Sequence, residues 1–248
     1  MAVDDVAAQG FERAARDYER ARPSYPTAAF DHLVEELPLT SRSRVLDLAA
    51  GTGKLTRLLD SVGADVVAVE PVAAMRRELT VALPDVRVLD GTAEAIPLDD
   101  ASVDAVVVGQ AFHWFDADAA LAEIRRVLRA GGALGLVWNR RDERTPWVEE
   151  MSRVIGWHDQ LPSNYERTDW AEVVDGRGFS PLQEHDVRWE QPMTRDLLRA
   201  RVRSISYIAA DTPARQEEMA EAVVALVGDQ PEPFPLPYTT HVYWCHKV

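Results

Sequence analysis

Cysteine is nearly absent. Cys245 stands alone among 248 residues, so no internal disulfide can form, and a reducing cytoplasm is the expected compartment. Met1 to Asp5 lack the basic and apolar regions of a signal peptide, and no apolar run approaches membrane-spanning length. Positive charge is scarce: 27 Lys and Arg stand against 41 Asp and Glu, for a formal charge of −14. So acidic a surface disfavours nucleic acid or an anionic membrane as the main partner. The histidines His32, His113, His158, His185, His241 and His246 have no carboxylate or cysteine partners at metal-ligand spacing, so no metal is expected. No Gly-x-Ser-x-Gly elbow offers a serine nucleophile. What is present, 46% hydrophobic and 27% charged residues, suits a soluble globular chain, and a monomer or homodimer is expected.

One stretch organises the rest: Val45-Leu46-Asp47-Leu48-Ala49-Ala50-Gly51-Thr52-Gly53-Lys54-Leu55-Thr56. Its apolar half reads as a strand, and its second half turns on Gly51 and Gly53 into a helical pattern. Strand, glycine turn and helix open a nucleotide-binding βαβ unit, where a missing Cβ lets the backbone approach the ligand. A Walker-type phosphate loop fits poorly, because Leu55 follows Lys54 and the upstream glycine is missing; a nicotinamide fingerprint needs a third glycine. The plainest alternative is a turn that only joins strand to helix. The acids favour another reading. Asp47 precedes the turn, and Glu70 closes the next strand, Val66-Val67-Ala68-Val69-Glu70, where a carboxylate can accept both ribose hydroxyls. This arrangement resembles motif I and its successor in class I S-adenosylmethionine-dependent methyltransferases.

Taken in order, residues 4–21 read as a helix, broken by Arg22-Pro23-Ser24-Tyr25-Pro26 and followed by a second helix over Thr27–Glu36. Both precede the first core strand and should form a lid over the sheet. Strict alternation follows. Strands are expected at Arg44–Leu48, Asp65–Glu70, Val86–Leu89, Val103–Gly109 and Ala133–Asn139, with helices at Lys54–Val62, Val72–Leu83 and Asp116–Ala130, the last stopped at Gly131. Runs such as Ala105-Val106-Val107-Val108 suit strands buried on both faces, so the fold class is α/β, a doubly wound, mostly parallel sheet. Beyond Asn139 the pattern predicts helices at Pro146–His158, Asp169–Asp175, Thr194–Ala209 and Pro213–Val227, with Glu217, Glu218 and Glu221 on a solvated face. Strands at Gln183–Glu190 and Tyr238–His246 flank a linker extended by Pro231, Pro233, Pro235 and Pro237. The late strand pair matches the class I pattern: a Rossmann-like sheet of seven strands, the last antiparallel. The chain is expected to be a single domain over 1–248, with lid helices in 1–37, a cofactor-binding core in 38–140, and cover helices with the last two strands in 141–248.

A ligand crevice should lie beyond the C-terminal strand ends. The resemblance implies S-adenosylmethionine there, held by Asp47, Ala49, Gly51, Thr52 and Gly53 in the first loop and by Glu70, Pro71 and Met75 in the second. The third loop adds Thr92, Ala93 and Glu94, where the class grips adenine; many relatives carry Asp at Thr92 and Gly at Ala49. The fourth loop, Gly109-Gln110-Ala111-Phe112-His113-Trp114-Phe115-Asp116, brings Gln110 to the cofactor and His113 and Trp114 to a pocket, while Phe112 and Phe115 cap the sheet. Tyr18, Arg22 and Tyr25 either pack or close over the crevice, with Arg22 available to a carboxylate. Arg140 and Arg141 either pair with a substrate carboxylate or form salt bridges to Asp142 or Glu143. Tyr207 is a further acceptor contact. Phe11…Tyr18…Arg22-Pro23…Tyr25-Pro26, Thr92-Ala93-Glu94-Ala95-Ile96-Pro97-Leu98 and Gln110-Ala111-Phe112-His113-Trp114-Phe115 look like the small-molecule methyltransferases related to trans-aconitate methyltransferase. The resemblance implies methyl transfer to a small molecule, with O-methylation of a carboxylate or hydroxyl favoured over N- or C-methylation of a secondary metabolite. His113 is the expected catalytic base for any acceptor that must lose a proton. A non-catalytic cofactor-binding scaffold is the rival from another class.

Overall fold

The computed structural model describes residues 21–37, 39–160 and 169–248. The expected first helix, apart from Ala21, and Tyr18 with it, lie outside the described residues. Helix α1 (Thr27–Glu36) leads to β1 (Arg44–Leu48), α2 (Lys54–Ser61), β2 (Asp65–Val69), α3 (Ala73–Ala82) and β3 (Arg87–Leu89). Then come β4 (Val103–Gly109), a 3-10 turn (Phe112–Trp114), α4 (Ala117–Val127) and β5 (Leu128–Arg141). The strands form one seven-stranded sheet in the order β3-β2-β1-β4-β5-β7-β6, completed by β6 (Gln183–Met193) and β7 (Phe234–His246). All neighbouring pairs are parallel except those made by β7, which runs antiparallel to both β5 and β6. This is the doubly wound sheet expected from the sequence.

The strand period of two sorts the core into two layers. Val45, Val66, Ala105, Val107 and Ala133 pack under α1, α2 and α3 on one face. Leu46, Leu48, Val106, Val108 and Leu134 pack under α4 on the other. Asp47 shares the parity of Val45, so its carboxylate points to the face where α2 begins, and the Thr56 hydroxyl donates to it at 2.6 Å. The Asp116 side chain caps α4 by accepting from the Ala119 N–H at 3.2 Å.

A third apolar cluster belongs to the cover: α5 (Pro146–Val154), α8 (Arg195–Arg203), α9 (Ser206–Ala209) and α10 (Pro213–Ala225), with the short α6 (Trp157–Gln160) and α7 (Trp170–Val174) between α5 and β6. The hairpin of β6 and β7 carries it. β5 stops pairing with β7 at Arg141 opposite Tyr238, yet β7 starts at Phe234, so four residues overshoot the sheet beyond the C-terminal end of β5. Phe234 and Leu236 of this overshoot, with Tyr238 where it joins the sheet, pack into the cover cluster.

Several boundaries differ from the sequence reading. Pro235 and Pro237 lie in β7, not in a linker; the Pro237 carbonyl accepts from the Asp142 N–H at 2.9 Å, so these imino nitrogens face the side where β5 has ended and no ladder bond is missed. The helix expected to run to Ala130 ends at Val127, and the strand starts at once, with Gly131 at φ 72° inside it. The helices expected at 146–158 and 194–209 are each broken, the first at Gly156 with φ 66° and the second after Arg203. Glu217 and Glu221 reach α8 as ion pairs to Arg203 at 3.0 Å and Arg199 at 2.5 Å. Among the described residues no helix is long and apolar enough to cross a membrane.

Candidate active site

The C-terminal strand ends open into a cleft with two arms. The narrow arm, about 80 Å³, runs between the loops after β2, β3 and β4 and is lined by Glu70, Pro71, Met75, Thr92, Ala93, Glu94 and Trp114. The wide arm, about 250 Å³, lies between the sheet edge and the cover, lined by Arg22, Tyr25, Asp47, Thr52, Asn139, Arg140, Arg141, Arg201 and Tyr238. Ala49, Gly51, Gly109 and Gln110 line both, so the arms meet there.

The backbone at this meeting point is unusual. Ala49 and Gln110 hold φ at 57° and 61°, a region L-residues enter at a cost of about 1 kcal/mol or more. Gln110 is fixed there by its N–H to the Val137 carbonyl at 2.9 Å and by its Nε2 to the Asn139 carbonyl at 3.3 Å. Gly109 has no room for a side chain: a Cβ would lie 2.4 Å from the Tyr25 hydroxyl and 3.2 Å from Leu55. Gly51, at φ 60°, differs. Within the protein its Cβ would meet only the Met75 sulfur, at 3.8 Å, so the space it leaves belongs to the cleft.

Two buried carboxylates face the arms. Glu70, 3% exposed, accepts from the Gly51 N–H at 2.9 Å and the Val72 N–H at 2.8 Å. Burial raises its pKa, and these amides oppose that rise. Arg76 braces the same loop by donating to the carbonyls of Glu70 and Pro71 and pairing with Asp90 at 2.9 Å. Asp47, 1% exposed, uses Oδ2 for Thr56, while its Oδ1 is buried with no hydrogen-bond partner. Burial pushes its carboxyl up to about 7; the Thr56 hydroxyl opposes this and the Glu70 charge adds to it. An orphaned acceptor on a cleft wall suits a cationic ligand group.

Comparison with known proteins gives this geometry its family. A methyltransferase-domain family model matches residues 46–136. A methyltransferase of Mycobacterium tuberculosis strain H37Rv, itself uncharacterized, is 46% identical over 235 residues, covering 93% of this chain and 92% of its own. A methyltransferase-like protein of Schizosaccharomyces pombe is 36% identical over 221 residues, covering 89% and 86%. The chain belongs to the class I S-adenosylmethionine-dependent methyltransferase family. A malonyl-[acyl-carrier protein] O-methyltransferase of Pectobacterium atrosepticum is 34% identical over 128 residues, 51% of this chain and 50% of its own. Among solved structures, one from Anaeromyxobacter dehalogenans, provisionally classed as a type II methyltransferase, superposes with TM-score 0.62 at 29% identity, covering 91% and 97%. Streptomyces coelicolor geranyl diphosphate C-methyltransferase, solved with S-adenosyl-L-homocysteine, agrees in fold at TM-score 0.52 and 14% identity, covering 90% and 76%.

In this methyltransferase the structure gathers most of the sequence-predicted residues at the cleft, but not all. His113 lines neither arm. It is 3% exposed, its Nδ1 accepts from the Trp138 indole N–H at 3.4 Å, and its ring lies 4.7 Å from Trp114. Burial and the Arg140 charge drop its pKa to about 3, so the imidazole is neutral at every working pH, in contrast to the near-neutral pKa of a poised base. Tyr207 is not brought to the cleft either; it lies against α5, its hydroxyl donating to the Ile155 carbonyl at 3.1 Å. Gly53 is the left-handed N-cap of α2, φ 87°, and lines neither arm. Asp142 pairs with Arg144 and Glu143 with His158, so neither takes the role of partner to Arg140 or Arg141 that the sequence left open. Arg141 instead donates to Ser152 Oγ at 3.2 Å and stacks over Trp157 at 4.3 Å. Cys245 is buried in the sheet core, its thiol pushed up to about 12, which makes it a packing residue. Sequence reasoning missed Asn139, Glu143, Trp157, His158, Arg201 and Tyr238 in the wide arm. One signal was available for Arg201: Leu198, Arg201, Val202 and Ile205 fall at helical spacing, which sets a cation on an apolar face.

Proposed function

We propose that this methyltransferase moves the methyl group of S-adenosylmethionine to a small-molecule acceptor, by O-methylation of a carboxylate or hydroxyl. The carrying observation is the unpartnered Asp47 Oδ1 on the wide arm, set two residues from the join where Ala49 and Gln110 are held at positive φ. In this reading the cofactor would lie along the cleft, across both arms. Glu70 would take its ribose hydroxyls, with Pro71, Met75, Thr92, Ala93 and Glu94 around the adenine. Asp47 would take its ammonium group, and Arg22, with Tyr18, its carboxylate. Thr52 and the Gly51–Gly53 turn give the backbone its close approach. When bound, the sulfonium supplies an electrophilic methyl carbon: an acceptor lone pair forms the new bond as the carbon–sulfur bond breaks and its electron pair stays on sulfur.

The residues of the join then have positional work. Gln110, Ala49 and Gly109 shape the opening through which the acceptor must approach in line, and Tyr25 and the cover exclude water from it. A carboxylate acceptor is already an anion and needs no base. For a hydroxyl acceptor the base assigned here is His158, which lines the wide arm with its Nε2 3.2 Å from Glu143 Oε2. His113 is assigned to support of Trp114 and Trp138. The local likeness to an O-methyltransferase and the motifs resembling trans-aconitate methyltransferase support oxygen as the accepting atom. The test is calorimetric titration with S-adenosylhomocysteine, followed by transfer of isotope-labelled methyl across a panel of carboxylic acids, alcohols, phenols and amines. Binding and a labelled O-methyl product are expected, a base-labile ester from a carboxylate or a base-stable ether from a hydroxyl. No binding would sink the reading, and binding with no transfer to any acceptor would leave a scaffold.

A further inference from the structure

The arginines of α8 make an instructive set. Arg195, Arg199 and Arg203 pair with Glu232, Glu221 and Glu217 at 3.1, 2.5 and 3.0 Å. Arg201, on the same helix, is 4% exposed and has no ion pair among the described residues. Its Nε reaches the Tyr238 hydroxyl only at 3.5 Å, and its Nη1 is buried with no hydrogen-bond partner. The half-buried arginines, which water still reaches, have carboxylates; the buried one, which needs a carboxylate more, has none. A guanidinium does not lose its proton in a protein, so it cannot escape the cost of burial by neutralising. Leu or Met would pack against Leu198 and Val202 without that cost.

Arg201 lines the wide arm, and this decides the matter. We infer that Arg201 anchors an anionic group of the acceptor, and that the acceptor is a small organic carboxylate. The inference rests on the methyl-transfer reading above. The surroundings agree with it: Arg22, Arg140 and Arg141 line the same arm against Asp47 and Glu143, in a protein of formal charge −14. Glu143 is already engaged, accepting from Ser152 Oγ at 2.5 Å and facing His158. Asp47 is held partly protonated near pH 7. Two arginines that meet at α8 divide the labour. Arg22 donates to the Ser204 carbonyl at 3.2 Å, at the end of α8, and is assigned to the cofactor's carboxylate; Arg201, deeper against β7, is left for the acceptor. The planar fork of a guanidinium suits a carboxylate in bidentate geometry.

The test titrates succinate and benzoate, with their neutral amides as controls, into protein saturated with S-adenosylhomocysteine. The wild type should bind the carboxylates at least about tenfold more tightly than the amides. Arg201→Met should lose about tenfold or more in carboxylate affinity while keeping homocysteine-product affinity within about threefold. Without ligand it should melt at or above the wild-type temperature, because an uncompensated buried charge is gone. Arg201→Lys should restore binding only in part, since an ammonium offers no fork. Carboxylate affinity unchanged in Arg201→Met overturns the proposal, whatever its melting temperature. So does a wild type that binds inorganic phosphate but no carboxylate. A parallel fall in S-adenosylhomocysteine affinity would assign Arg201 to the cofactor instead. If the wild type binds no S-adenosylhomocysteine, the methyl-transfer reading fails by itself, and the same titration of unliganded protein still decides whether Arg201 holds a carboxylate.

Discussion

The two arms of the cleft are built in opposite ways. The narrow arm comes from four consecutive loops, those after β1 to β4 between Ala49 and Phe115, each emerging directly from a strand end of a parallel sheet. The wide arm draws on Arg22 before the sheet, Asn139 and Arg140 at its edge, Arg201 on a cover helix and Tyr238 on the last strand. A site made of sequential loops inherits its geometry from the sheet and tolerates few changes of ligand. A site closed by distant segments can change its ligand by altering the cover alone, without disturbing the sheet. The proposed cofactor fills the first kind of site and reaches through the join to Asp47, Thr52 and Arg22, and the acceptor takes the cover side of the second.

Substitutions at the join should therefore act on the cofactor and on the acceptor's approach, and those deeper in the narrow arm on the cofactor alone. Gly51→Val should have the largest effect. Its backbone conformation at φ 60° strains a β-branched residue, and its side chain would fill the space between the arms, so S-adenosylhomocysteine affinity should drop by more than about 100-fold. Normal binding in a folded Gly51→Val would mean the join is not where the cofactor passes. Glu70→Ala comes next. It removes the proposed ribose contact and strips the Gly51 and Val72 amides of their acceptor, so binding should weaken by about 1.5–3 kcal/mol. Unchanged affinity by calorimetry would remove Glu70 from the cofactor's ribose.

Asp47 gives the cofactor's end of the wide arm a pH dependence. Its carboxyl titrates near 7 against an ordinary value of 3.8, so the folded protein holds this proton more tightly than the unfolded chain. The site costs no stability below about pH 4, and the cost grows between pH 4 and 7 and is complete above 7. Asp47→Asn should then melt above the wild type at pH 8, with the gap closing towards pH 4. Cofactor binding should move the other way. If Asp47 accepts from the ammonium, wild-type affinity should fall about tenfold for each pH unit below 7, and Asp47→Asn should show a weak, flat profile. A wild-type profile that is flat between pH 5.5 and 8 would remove Asp47 from the cofactor.

How much of this was legible in the sequence follows the same division. The limits of β1 and β4 agree residue for residue with the apolar runs, and the narrow arm's residues were found because each sits a fixed step beyond a strand end. The cover was read as helices and a hairpin but not placed. Nothing local says that Pro235 and Pro237 continue a strand; that depends on β5 having stopped beside them, a fact about a partner about 100 residues away. The cover side of the wide arm was missed for the same reason. Arg201 and Tyr238 become neighbours only through packing of α8 against the β7 overshoot. Arg126 shows the limit in the core itself: it looks like a solvated helix residue, yet it donates to the carbonyls of Ile96 and Leu98 and so shapes the third loop.

His113 should show the smallest effect on binding, and it tests whether the arms are as separate as they look. It sits behind the narrow arm, one residue from Trp114, yet its charge state is set from the wide arm by Arg140 as well as by burial. With a pKa near 3 in the fold and 6.5 as its ordinary value, the unfolded chain takes up a proton that the folded protein refuses. The stability it contributes is complete above about pH 6.5 and is lost as pH falls from there towards 3. His113→Gln, whose amide oxygen can still accept from the Trp138 indole, should therefore resist acid better than the wild type in that window, and S-adenosylhomocysteine affinity should stay within about threefold. His113→Ala leaves that indole N–H buried and unpaired and should cost about 1–3 kcal/mol of stability. Neither change should move the acid limb of the pH–rate profile, because a group that titrates near 3 does not control turnover between pH 6 and 8. An acid limb near neutrality that is present in the wild type and absent in His113→Gln would return His113 to the role of base, and would require the fourth loop to open towards the acceptor during turnover.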